Sequence, residues 1–241
     1  MDGGAMTSGA ACVLWRAMRT APALVRLAVL LALGGCATVE VGKVQPALFP
    51  LAVAASAPSL PVRVALVLPP EVREQTHVGP AREVDPIKGI RLPVGAVIEA
   101  ALQRRLAAAF SGGVQPAALP LPAGAGLDLA VTVSAARLAL DSHLNWVVPV
   151  PLLLPFPLAQ STDHYATLAL DLRITDSTGR VLVETTVDSG RVAFERGLWT
   201  RETRLERYQK LLHEAAWQAA EKTAQAALDA LQADRLRERA L

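Results

Sequence analysis

The chain has no Gly-x-Ser-x-Gly turn, no His-Glu-x-x-His pair and no glycine-rich phosphate loop after a strand. The usual signatures of acyl transfer, zinc-dependent hydrolysis and nucleotide binding are therefore missing. Cysteine is nearly absent, with Cys12 and Cys36 the only two. Aromatic residues make up 4% of the 241 residues, and the formal net charge is only +2. No basic cluster accompanies that charge, so nothing supplies the electrostatic face that nucleic-acid binding needs. No uninterrupted apolar run approaches the about 20 residues of a membrane-spanning helix. Together these absences favour a binding or scaffolding role over catalysis, with no cofactor expected.

What is present begins at the N-terminus. Leu24 to Ala37 reads LVRLAVLLALGGCA, a short apolar stretch preceded by Arg16 and Arg19 and carrying Arg26 near its start. Seven residues of Leu, Ala and Val, Leu27 to Leu33, have the length of a signal-peptide apolar region behind a positive one. The stretch ends in Leu33-Gly34-Gly35-Cys36. That tetrapeptide resembles the lipobox of bacterial lipoproteins: an aliphatic residue, two small residues, then cysteine. Small residues let an extended backbone enter a protease cleft, and the thiol accepts a diacylglyceryl group. The resemblance covers only about the first forty residues. It implies cleavage between Gly35 and Cys36, lipidation of Cys36, and attachment to a membrane through that lipid. Ala37 is not aspartate; by the sorting rule of enteric bacteria this points to the outer membrane, with the chain facing the periplasm.

Cleavage there would remove three Arg and one Asp, leaving 21 basic and 21 acidic residues from 24 and 22. It would discard Cys12 as well, so no intramolecular disulfide is expected. Residues 1–35 are then the signal peptide. Residues 36–60 are read as a lipidated cysteine and flexible tether, with Pro46, Pro50 and Pro58 opposing a helix. Phe49 and Leu51 are the residues there able to dock on a domain. Residues 61–241 are read as one periplasmic domain.

Within that domain Val62 to Leu68 (VRVALVL) reads as a strand stopped by Pro69-Pro70. Glu71 to Arg91 is irregular, with one short strand at most. Pro93 to Phe110 carries Val94, Val97, Ile98, Ala101, Leu102, Leu106, Ala109 and Phe110 at helical spacing. Val114 to Leu119 is a candidate short strand. Leu127 to Leu140 and Tyr165 to Thr175 alternate as half-buried strands. The first places Leu129, Val131, Val133 and Ala135 on one face. The second places Ala166, Leu168, Leu170, Leu172 and Ile174 inward, with Thr167, Asp171 and Arg173 outward. Asp176-Ser177-Thr178-Gly179 is a turn, and Arg180 to Val187 returns as its hairpin partner. From Thr200 to about Arg239 a long helix follows, its apolar stripe rich in alanine. The expected fold is α+β: a two-layer domain, mainly antiparallel sheet, packed by one central and one long C-terminal helix. In layout alone it looks like the small periplasmic domains of envelope-assembly lipoproteins, such as the lipopolysaccharide-assembly lipoprotein, and of transport-auxiliary lipoproteins.

Two features of the domain bear on function. Asn145 to Leu158 (NWVVPVPLLLPFPL) is an apolar insertion interrupted by Pro149, Pro151, Pro155 and Pro157. A plain hairpin needs only two to five residues there. The insertion is read either as a loop folded over the core or as a contact surface for a lipid, a bilayer or another envelope protein. In the second reading Trp146, Val148, Leu152, Leu153, Leu154 and Phe156 make the contact. At its base stand Asp141, His143, Asp163 and His164. Two imidazoles and two carboxylates are a possible zinc set, and the alternative function is a metal-dependent or hydrolytic envelope enzyme built on these four. His77 and His213 are read as surface residues. The leading function is a lipid-anchored envelope protein with a binding or assembly role, an accessory subunit of an envelope transport or assembly system.

Overall fold

The computed structural model describes residues 38–40, 44–49, 60–80, 89–118, 126–146, 160–194 and 204–240. By internal contacts the chain divides into two units, residues 1–39 with 80–90 and residues 40–79 with 91–241. Gly35, Cys36 and the rest of the signal region lie outside the described residues.

The larger unit is built on strand β2 (Val64–Val67), the VALV run that sequence marks as a strand. All four of its residues are buried. It lies between β5 (Val114–Ala117) and β6 (Leu129–Trp146) and is parallel to both. An unbroken apolar run is the pattern of a strand between two parallel neighbours, where both faces are covered. From β6 the sheet continues antiparallel through β7 (Gln160–Asp176) and β8 (Val181–Asp188), in the order β5-β2-β6-β7-β8. A last short strand, β9 (Val192–Phe194), pairs with β7 at Ala166, Tyr165 and His164. The chain read as irregular between residues 71 and 91 holds a single helical turn, α1 (Pro70–Arg73), and two short strands, β3 (His77–Pro80) and β4 (Gly89–Leu92). A further short strand, β1, spans Thr38–Glu40.

Helix α2 spans Val94–Ala109 and α3 spans Arg204–Ala240. Val94, Val97, Ile98, Ala101, Leu102 and Leu106 of α2 are buried, as is Phe110 just after it. Gly95 admits α1 closely: a Cβ there would collide with the carbonyl of Val72. α3 packs against α2 and across β7, β8 and β9. Its buried positions are more numerous than one stripe, because it meets both neighbours. Leu211, Leu212, Ala215, Ala219, Ala220 and Ala227 are almost fully enclosed. Small side chains let a helix approach closely on two sides, which explains the alanine content. The architecture is therefore α+β, a mixed sheet with a central and a long C-terminal helix, as expected from sequence.

β6 departs from the expected alternation. Its register with β7 shifts between Val133 and Ala135, leaving Ser134 as an extra, bulged residue. Leu129, Val131 and Val133 are buried before the bulge, and Ala136 after it. Ala135, read as inward-facing, is instead only half-buried and stands opposite Asp171. The bulge resets the strand so that Ala136 faces Leu170, and Leu138 pairs with buried Leu168. β7 follows the expected alternation, with Ala166, Leu168, Leu170, Leu172 and Ile174 all buried.

Candidate functional site

β6 and β7 are longer than sequence alternation suggests and pair without further shift from Ala135↔Asp171 to Trp146↔Gln160. The apolar insertion is thus shorter than read. Asn145 and Trp146 belong to β6, and the hairpin ends at the pair Trp146↔Gln160. Val148, Leu152, Leu153, Leu154 and Phe156 lie outside the described residues.

The same register sets the four polar residues at the base. His143 stands opposite Asp163, His164 opposite Ser142, and Asp141 opposite Tyr165. Asp141 is exposed, whereas His164 is 3% exposed and lies under α3, its ring 5.1 Å from that of Tyr208 in an edge-on contact. Residues one apart on a strand take opposite faces, so His164 leaves the face on which Tyr165 stands opposite Asp141. Two of the four expected donors are on opposite sides of the sheet, and the geometry does not favour a four-residue metal centre. Among the described residues no group of three His, Cys, Asp or Glu side chains is placed to hold a metal ion. Tyr165 is instead capped by Arg191, whose guanidinium carbon lies 3.6 Å from the ring centroid.

On the exposed face of the sheet, Arg137 and Asp171 form a two-pronged pair, Nη1 to Oδ2 at 2.7 Å and Nη2 to Oδ1 at 2.6 Å. The hydroxyl of Thr186, Asp171's partner across the β7–β8 register, donates to Oδ1 at 2.7 Å. The hydrogen bonds from Arg137 and Thr186 hold the Asp171 carboxyl below the usual carboxylate range. A carboxylate so engaged is a clasp across three strands rather than a free base.

Two other places emerge from the structure, of which sequence had shown only that Phe49 was able to dock. The first is around His213, read as a surface residue and in fact 2% exposed. Phe49, within the stretch read as tether, is 3% exposed and docks against it. The Phe49 ring lies 4.9 Å from that of His213 and 6.1 Å from that of Trp217. The four-residue spacing of His213 and Trp217 is the one sequence signal for this pair, since it places them on one face of α3. The second is an open groove of about 420 Å³ between edge strand β8 and α3, lined by Leu182, Val183, Ala226 and Ala230 among others.

No family model matches the chain, and no curated protein matches it. Among solved structures it is similar to a minor lipoprotein from Acinetobacter baumannii, with 14% identity and a TM-score of 0.33 over 70% of this chain and 95% of that one. It is also similar to the uncharacterized lipoprotein B from Nitrosomonas europaea, with 14% identity and a TM-score of 0.35 over 75% of this chain and 95% of that one. Both neighbours are lipoproteins by name; at this identity and overlap that is a likeness and assigns no family.

Proposed function

We propose that this chain is a lipid-anchored protein of the cell envelope with a binding or assembly role in the periplasm, serving as an accessory subunit of an envelope transport or assembly system. The observation that carries the reading is Leu33-Gly34-Gly35-Cys36 at the end of a short apolar run behind three arginines. A diacylglyceryl group on Cys36 brings two acyl chains, which suffices for stable anchoring where a single chain does not. Placement in the outer membrane rests on Ala37 alone. Support for binding over catalysis comes from the missing catalytic motifs and from the engagement of Asp171 with Arg137 and Thr186. The partner surface in this reading is the apolar tip, Trp146 to Phe156, carried on a hairpin.

The anchor is tested by metabolic labelling with a palmitate analogue. Cys36→Ser offers an oxygen that cannot replace the thiol as acyl acceptor, so the variant stays as an unlabelled, uncleaved precursor. Equal labelling of wild type and variant would remove the anchor from the proposal. Crosslinking in intact envelopes then identifies what the domain contacts.

A further inference from the structure

The docking of Phe49 belongs to a larger arrangement. Residues 44–49 lie along α2 and α3, with Pro46–Leu48 forming one 3-10 turn. Arg104 of α2 donates from Nη1 to the Pro46 carbonyl at 3.0 Å. The backbone N–H of Gln45 donates to Nε2 of His213 at 3.2 Å. The other ring nitrogen, Nδ1, lies 2.7 Å from the carbonyl oxygen of Gln209, one turn earlier on α3. A carbonyl only accepts, so Nδ1 carries the ring proton and Nε2 offers the lone pair. Both nitrogens are thus committed to backbone groups, and the ring must be neutral for the pair of bonds to exist. A second proton would enter at Nε2, between the ring and an N–H that also donates. It would take away the acceptor that Gln45 uses and leave two donors facing each other beneath the buried Phe49 ring.

We propose that His213 is a proton-sensitive latch: neutral, it clips residues 44–49 onto α2 and α3; protonated, it releases them and uncovers an apolar floor around Trp217. The surroundings offer a second positive charge little help. Residues 44–49 carry no ionisable side chain. On α2, Arg104 is held by Pro46 and Arg105 by Glu221. On α3, Glu214 accepts from Gln218, and Glu206, Arg207 and Lys210, within two turns before His213, each have an interaction of their own. From the sheet side, His164 of β7 meets α3 at Tyr208, five residues before His213. Burial lowers the His213 pKa, and the bond to Gln209 only partly opposes that. Beside the clip, a groove of about 440 Å³ runs between Phe49, Ala100, Gln103, Arg104 and Pro116, so release widens an opening already present.

The pH dependence follows from the sign of that shift. Released, the imidazole meets water and returns toward its ordinary pKa of about 6.5. The released state therefore binds the proton more tightly. Docking is fully favoured above about pH 6.5 and weakens below it, by up to about tenfold per pH unit until the docked pKa is passed.

Hydrogen–deuterium exchange of the full chain in detergent, corrected for the intrinsic effect of pH, tests the latch. Protection of residues 44–49 is expected to be constant from pH 8 to 7 and to fall below about pH 6.5, while α2 and α3 keep theirs. His213→Gln supplies an acceptor and a donor that do not titrate, and its protection is expected to stay flat. Unchanged wild-type protection down to pH 5, or an equal loss in His213→Gln, would overturn the proposal. A second measurement does not depend on that variant folding. Coupling between proton and clip is reciprocal, so Phe49→Ala, which weakens docking, must raise the His213 pKa measured by NMR. Equal values in wild type and Phe49→Ala would also overturn it. Neither readout requires Cys36 to be lipidated, so the latch and the anchor stand or fall separately.

Discussion

The Asp176 carboxylate accepts four hydrogen bonds at the turn between β7 and β8. Its Oδ1 receives the Thr178 N–H at 2.9 Å, the Thr178 hydroxyl at 2.6 Å and the Arg180 N–H at 3.0 Å. Its Oδ2 receives Arg180 Nε at 2.9 Å. The turn also needs Gly179, whose φ of +85° is rarely open to other residues. Arg180 then reaches on to Asp234 near the end of α3, at 2.7 Å, and ties the hairpin turn to the helix. Burial pushes the Asp176 carboxyl up, but the bonds from Thr178 and Arg180 outweigh it and hold the group at about 2 instead of 3.8. A carboxylate with a depressed folded pKa stabilises the fold above its unfolded pKa and loses that contribution as pH falls through the folded one. The window here is pH 4 down to 2. Asp176→Asn keeps the shape and removes the charge. At pH 7 the variant is expected to lose on the order of 1 kcal/mol, or about 2–4 °C in melting temperature. Between pH 4 and 2 its melting temperature should fall less steeply than that of wild type. Thermal melts across that range decide it; parallel curves would mean that Asp176 contributes nothing pH-dependent.

At the scale of the element, the bulge at Ser134 is the feature that sequence hides. Ala135 and Ala136 have the same hydropathy, so nothing local says which of them faces the helices. An unbulged strand would bury Ala135 and, two by two, Arg137 and Asp141. The bulge buries Ala136 and leaves Arg137 free to clasp Asp171. Ala136 is 8% exposed, and Ala135 half-buried on the other face. Ala136→Asn is therefore expected to cost about 2–3 kcal/mol by burying an amide without partners, and Ala135→Asn within about 0.5 kcal/mol. Equilibrium urea unfolding of the two variants measures both, and the reverse order would contradict the register. β7, the stripe of α2 and the turn at Asp176 were legible because each depends on residues next to one another in the chain. The parallel neighbours of β2 were not, because β5 and β6 reach it from fifty or more residues away. His213 was misread for the same reason: Gln45, which covers it together with Phe49, lies 168 residues upstream.

For the whole molecule, the question is what the chain between the ends of β6 and β7 does. Its candidate residues were readable in sequence as an anomaly, since apolar side chains and prolines together suit neither a helix nor a central strand. Their role was not readable, because burial depends on what the loop meets rather than on its composition. Among the described residues α2 packs on β2 and α3 on β7, and Leu129, Val131, Val133 and Ala136 of β6 are buried. In the contact-surface reading Leu152, Leu153 and Leu154 bury little within their own chain. Replacing all three with serine should then change the melting temperature by no more than about 2 °C, as exposed substitutions do. It should weaken capture of the crosslinked envelope partner, or of liposomes, at least tenfold. A loop folded onto the core gives the opposite pattern. Each leucine would then cost about 2–4 kcal/mol on truncation, with a further penalty for burying hydroxyls, and the variant would melt far below wild type. Melting and capture measured on the same preparation separate the two readings. A stable variant that still captures its partner would take the contact away from these three leucines.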